Sequence, residues 1–119
     1  MTNTKRMNRV DGEIQKALAS IISKFDDTEI SSSLISIMKV ETLSDFSLAK
    51  VYVSVFGDEE KKNRVVAKLN ENKKTIRYSL AHMMRLRTIP ELNFIVDDLE
   101  EKAEKIMKLF KVIEDEENK

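Results

Sequence analysis

His82 is the only histidine of the chain, and there is no cysteine. A zinc set needs several His or Cys ligands, and a Ser-His-Asp relay needs partners that nothing around His82 supplies. His82 therefore reads as an exposed or partly packed helix residue. Asp97-Asp98 and the acidic tail carry enough carboxylate for a divalent ion, yet no loop spacing of the calcium type surrounds them. Helix capping accounts for Asp97-Asp98 instead. Met83 and Met84 read as core. Tyr52 and Phe56 are of a type that stacks on bases, with cross-strand packing as the simpler account. No nucleophile, base and oxyanion site assemble, so the chain is expected not to be an enzyme and to need no cofactor or metal.

What remains is charge. Across 119 residues, 21 Lys+Arg balance 21 Asp+Glu, but the balance is local. Residues 61–90 hold nine basic residues and one acid, Glu71, whereas residues 1–60 and 91–119 are each net acidic. Such a block is a candidate footprint for a polyanion, and Lys5, Arg6 and Arg9 add a basic arm at the start. On charge alone a solvated basic face is an equal reading.

The elements that must position this block follow from periodicity. Met7, Val10, Ile14, Leu18, Ile21 and Phe25 recur at spacings of three and four, which predicts a helix over about residues 4–25. Residues 34–40 are short, apolar and rich in β-branched side chains, so they predict a strand. Thr42-Leu43-Ser44-Asp45 supplies turn chemistry. Ala49, Val51, Val53 and Val55 alternate with Lys50, Tyr52, Ser54 and Phe56 to give a second strand, antiparallel to the first. Asp58 is placed to cap a third element, a helix with Val65, Val66 and Leu69 inside and Lys61, Arg64 and Lys68 outside.

A sharp break is expected at Asn72-Lys73-Lys74. Asn72 would adopt a left-handed conformation and Thr75 would cap the next helix, whose inner side is Ile76, Leu80, Met83 and Met84. Pro90 stops that helix, and Leu92, Phe94 and Val96 alternate as a third strand. Asp98 and Glu101 resemble a capping box that starts a last helix, residues 98–113, followed by a frayed acidic tail, 114–119. The order α-β-β-α-break-α-β-α makes one α+β domain, residues 1–97, with the additional C-terminal helix packed on it.

Two segments also resemble a known family. Val40-Glu41, Leu43-Ser44-Asp45 and Leu48-Ala49-Lys50-Val51-Tyr52-Val53-Ser54 look like the strand pair of bacterial ribosome-binding factor A. Ile76-Arg77, Leu80-Ala81 and Met84-Arg85-Leu86-Arg87-Thr88-Ile89-Pro90-Glu91-Leu92-Asn93-Phe94 resemble its second half, and Arg6-Met7-Asn8-Arg9-Val10 its opening.

The resemblance implies a type II KH-like fold (α-β-β-α-kink-α-β) and a role in late maturation of the small (30S) ribosomal subunit. It implies binding of 16S rRNA near its 5′-terminal helix, support of 16S rRNA processing, importance during growth in the cold and no catalysis. It further implies release by an assembly GTPase or a translation factor. A cytoplasmic monomer without a membrane segment is expected. In place of the Gly-x-x-Gly loop of KH domains, or the family's Ala-x-Gly kink, this chain has Asn72-Lys73-Lys74.

With the resemblance, RNA contact outweighs a passive basic face. The expected phosphate-binding residues are Lys68, Lys73, Lys74, Arg77, Arg85 and Arg87, with Lys5, Arg6 and Arg9 as an auxiliary arm. Arg85 or Arg87 could instead pair with Glu91 to hold the turn into the third strand. Six to eight phosphate contacts would give a log–log salt slope of roughly −5 to −7. The rival reading is a protein-interaction module in which the basic face is incidental.

Overall fold

The computed structural model describes residues 4–85 and 88–97, with side chains from residue 7 onward. The expected helix over 98–113 and the tail 114–119 lie outside the described residues. The elements are α1 (Thr4–Ser23), α2 (Thr28–Ser32), β1 (Ile35–Thr42), β2 (Leu48–Val55), α3 (Glu59–Glu71), α4 (Lys73–Met83) and β3 (Glu91–Val96).

Helix α1 forms where the apolar stripe requires it. Val10, Ile14 and Leu18 are buried, joined by Ala17 and Ile22, while Met7, Ile21 and Phe25 are half-buried. It ends two residues earlier than the spacing predicts, because Lys24 and Phe25 donate three residues back, to the carbonyls of Ile21 and Ile22. The short helix α2 is not legible in the sequence: TEISS has one apolar side chain, Ile30, which is fully buried. Its start is fixed by Asp27, whose carboxylate accepts from the backbone N–H of Glu29 and Ile30.

The three strands form one sheet in the order β1-β2-β3. β1 and β2 are antiparallel, from Ile35 opposite Val55 to Thr42 opposite Ala49, with a bulge that leaves Met38 without a partner. β3 runs parallel to β2, from Glu91 beside Leu48 to Val96 beside Val53. Ala49, Val51, Val53 and Val55 point to one face and are buried, and α1, α3 and α4 cover that face. This is the expected α+β, type II KH-like arrangement. Phe56 lies beyond the end of β2 and is exposed, and Met83, expected in the core, is exposed as well.

The break between α3 and α4 is a single residue. Asn72 has φ −100° and ψ 10°, which is not the left-handed region the sequence suggested. Its backbone N–H reaches the carbonyls of Lys68 and Leu69, and its side-chain amide donates to the Lys68 carbonyl at 2.8 Å. A negative φ is open to any L-residue, so the missing glycine has no conformational consequence here. Asn72, not Thr75, occupies the position before α4, and it gives that helix no side-chain cap. Lys73 and Lys74 therefore belong to the first turn of α4 and not to a loop.

Candidate nucleic-acid interface

Lys73, Lys74 and Arg77 lie along one side of α4, with Tyr78 and Ala81 on the following turn. Across from them run Ile89, Glu91 and Leu92, and the two walls enclose a cavity of about 620 Å³. Lys73 and Lys74 are exposed and form no ion pair among the described residues. No acid occupies the first turn of α4. Two ammonium groups thus sit at the positive end of a helix dipole, where cations are disfavoured and anions are attracted.

Arg77 contributes charge and construction together. Its Nε donates to the carbonyls of Ile89, at 3.2 Å, and Pro90, at 3.1 Å, and its Nη2 donates to Ile89 at 2.6 Å. The planar fork ties the far wall of the cavity to α4. The turn into β3 is held by Arg77 on backbone carbonyls; Arg85 forms no ion pair with Glu91 among the described residues, and Arg87, the other residue considered for that pairing, lies outside them.

Lys68 is placed differently. Its Nζ lies 3.1 Å from Glu29 and 3.5 Å from Asp27, and Arg64 also pairs with Glu29. The hydrogen bond from Arg64, then that from Lys68, holds the Glu29 carboxyl below the ordinary range, and the bond to Glu29 raises Lys68. Two of the cations read as an outer basic stripe therefore clasp α2 to α3.

Arg85 borders a separate hollow with Glu13, Lys16, Ala17, Met83 and Met84, on the α1 side. Arg9 pairs with Glu13 at 3.7 Å in an exposed i,i+4 contact. Arg87 and the side chains of Lys5 and Arg6 lie outside the described residues. Of the nine expected residues, the structure brings together Lys73, Lys74 and Arg77.

Tyr78 was missed by sequence reasoning. It is 68% exposed at the cavity, and its ring lies 4.4 Å from that of His82, centroid to centroid. The available signal was the i,i+4 spacing of Lys74, Tyr78 and His82, which puts both rings on the side of α4 that carries Lys74. Tyr52, a stacking candidate by type, is half-buried on the sheet with Lys39 Nζ 5.9 Å from its ring centroid. Among the described residues no group of three or more His, Cys, Asp or Glu could hold a metal, and no helix is long and apolar enough to cross a membrane.

Comparison with known proteins agrees with this architecture. A family model described as ribosome-binding factor A matches residues 6–110. The ribosome-binding factor A of Finegoldia magna is 35% identical over 115 residues, covering 96% of this chain and 95% of that protein. The crystal structure of ribosome-binding factor A from Thermus thermophilus superposes with a TM-score of 0.66 at 26% identity, over 76% of this chain and 93% of that one. A Thermotoga maritima protein solved by solution NMR gives a TM-score of 0.70 at 30% identity, over 80% and 90% of the two chains.

Proposed function

The chain belongs to the ribosome-binding factor A family, and from that premise we propose that it binds the small ribosomal subunit during late maturation through 16S rRNA near the 5′-terminal helix. It acts there as a binding protein and not as a catalyst, as a cytoplasmic monomer. By holding a local rRNA helix it supports 16S rRNA processing, and a GTPase or translation factor completes its release.

One observation carries the RNA part of this reading. Lys73 and Lys74 stand unpaired among the described residues at the positive end of α4, beside Arg77, while Lys68 and Arg64 are neutralised by Glu29 and Asp27. Phosphate is the anion such a cluster meets on a ribosome, and contacts of this kind position a protein without reading sequence. Arg85, Arg87, Lys5, Arg6 and Arg9 extend the same electrostatic docking, and Lys68 joins only by exchanging its carboxylate partners for phosphate.

The test is co-sedimentation with small subunits, large subunits and free 16S rRNA across a salt series. Selective, salt-sensitive binding to small subunits is expected. The Lys73→Glu/Lys74→Glu double variant should bind more weakly and flatten the salt slope by about two. Unchanged affinity of the double variant would remove the cluster from the interface; absence of binding at low salt would favour a protein partner.

A further inference from the structure

Arg64 and Lys68 lie on successive turns of α3, at the i,i+4 spacing that leads to the break at Asn72 and the lysines beyond it. They extend the basic run of α4, yet each already holds an anion of its own chain. Glu29 pairs with both, through Oε1 to Arg64 and Oε2 to Lys68, and Asp27 Oδ2 lies 3.5 Å from Lys68. The short helix α2 does not depend on this clasp. Its start is fixed by the other oxygen of Asp27, Oδ1, which accepts from the N–H of Glu29 and Ile30, and its one apolar side chain, Ile30, is fully buried. Three side-chain oxygens therefore serve only to hold two cations. Half of the Arg64 side chain and a third of that of Lys68 are open to solvent, so an outside polyanion reaches both.

We propose that Glu29 and Asp27 act as a built-in competitor for RNA phosphate at Arg64 and Lys68, so that α2 keeps the bound protein releasable, an inference that rests on the RNA reading above and adds to it the residues that limit residence on the subunit. Carboxylate and phosphate oxygens accept the same charge-assisted hydrogen bonds from guanidinium and ammonium groups. The exchange needs only side-chain rotamers: both cations swing on long side chains, while Asp27 keeps its cap and Ile30 its buried place. Partly exposed ion pairs are individually weak, so phosphate displaces them. The displaced carboxylates stay tethered beside the cations, and their high effective concentration lets them recapture each cation when a phosphate lets go. Recapture acts on dissociation, the step in which most affinity differences between related complexes arise. Lys73 and Lys74 have no carboxylate partner among the described residues, so α4 holds the RNA without contest and α3 holds it under competition.

The test is the dissociation rate of the labelled full chain from small subunits, chased with unlabelled protein. Glu29→Gln keeps the shape and removes the charge, and it should slow release about fivefold. Glu29→Asp keeps the charge on a shorter reach and should fall between wild type and Glu29→Gln. Glu71→Gln removes the same charge two residues before Lys73, where Glu71 has no ion-pair partner among the described residues, and it should slow release by less than about twofold. In an Arg64→Gln/Lys68→Gln background the effect of Glu29→Gln should vanish, whereas that of Glu71→Gln should remain. Thermal melting checks that each variant is folded. A slowing by Glu29→Gln no larger than that by Glu71→Gln, or one that survives the loss of Arg64 and Lys68, would overturn the competitor and leave the docking reading standing. Failure of the wild type to bind small subunits would overturn both.

Discussion

The side-chain amide of Asn70 pairs in both directions with the backbone of Phe94: Nδ2 donates to the Phe94 carbonyl at 3.0 Å, and the Phe94 N–H donates to Oδ1 at 2.8 Å. β3 is an edge strand, and its odd-numbered residues face β2, as the bonds from Glu91 to Ser47 and from Asp97 to Val53 indicate. Phe94 therefore points its backbone groups outward, and Asn70 occupies them as a neighbouring strand would. One side chain fastens the end of α3 to the sheet and covers the edge. Asn70→Ala should lower stability by about 2 kcal/mol, because two backbone groups of a buried residue lose their partners. Asn70→Asp, which keeps only the acceptor, should fall between the two. Urea denaturation measures both, and an Ala variant as stable as wild type would mean that water replaces the amide at no cost.

The clasp between α2 and α3 has a pH signature. The Arg64 hydrogen bond first, and that of Lys68 second, lower the Glu29 carboxyl below its ordinary value of 4.5. A group with a lowered folded value contributes stability above its unfolded value and loses it as pH falls through the folded one. Lys68 has the opposite sign: raised above 10.5 chiefly by its bond to Glu29, it contributes fully below that value and loses the contribution as pH rises through the higher one. The stability difference between wild type and Glu29→Gln should thus be flat from about pH 6 to 9 and shrink below about pH 4.5. A difference that persists undiminished at about pH 3 would assign it to packing.

Arg77 supports the cavity by its shape as well as its charge. Arg77→Lys keeps the charge and loses the fork on the Ile89 and Pro90 carbonyls. It should cost about 1 kcal/mol in urea denaturation, and it should weaken small-subunit binding less than Arg77→Ala does. Equal losses for the two variants would show that geometry, not charge, is what Arg77 supplies.

The turn between β1 and β2 carries a local conflict. Phe46 is half-buried against the core yet has φ 61°, a region disfavoured for a bulky side chain. Its N–H donates to the Leu43 carbonyl at 2.9 Å, which closes the turn. Phe46→Ala and Phe46→Gly both remove the ring, but only Gly relieves the backbone, so Gly should be the more stable of the two by about 1 kcal/mol. The reverse order in thermal melts would show that the turn is not strained.

Much of this architecture is legible in the residues, for a physical reason. The stripe of Val10, Ile14 and Leu18 and the alternation of Ala49 to Val55 are local patterns, and burial of one face follows from them. What escaped the sequence is long-range or atypical. α2 buries one side chain, so no period marks it. Asn72 turns the chain without the positive φ that its residue type suggested. Glu29 and Asp27 neutralise Lys68 from some forty positions away, which no count of charge within residues 61–90 can register. Tyr78 and Glu91 share one cavity only because α4 and the start of β3 form its two walls.

The parallel pairing of β3 with β2 sets when that cavity can exist. Two parallel strands cannot be joined by a hairpin, so the chain passes through α3 and α4 before β3 takes its place. Lys73 and Lys74 belong to that crossover, whereas Ile89, Glu91 and Leu92 arrive with the strand that completes it. The opposing wall therefore depends on the most non-local pairing of the sheet, the contact with the largest loop-closure cost. A chain still emerging from synthesis, or one whose β3 has peeled away, carries the same lysines without the cleft between them. Closure of the cleft is thus a report of completed folding: a partly folded copy keeps the charge of α4 and lacks the wall opposite it.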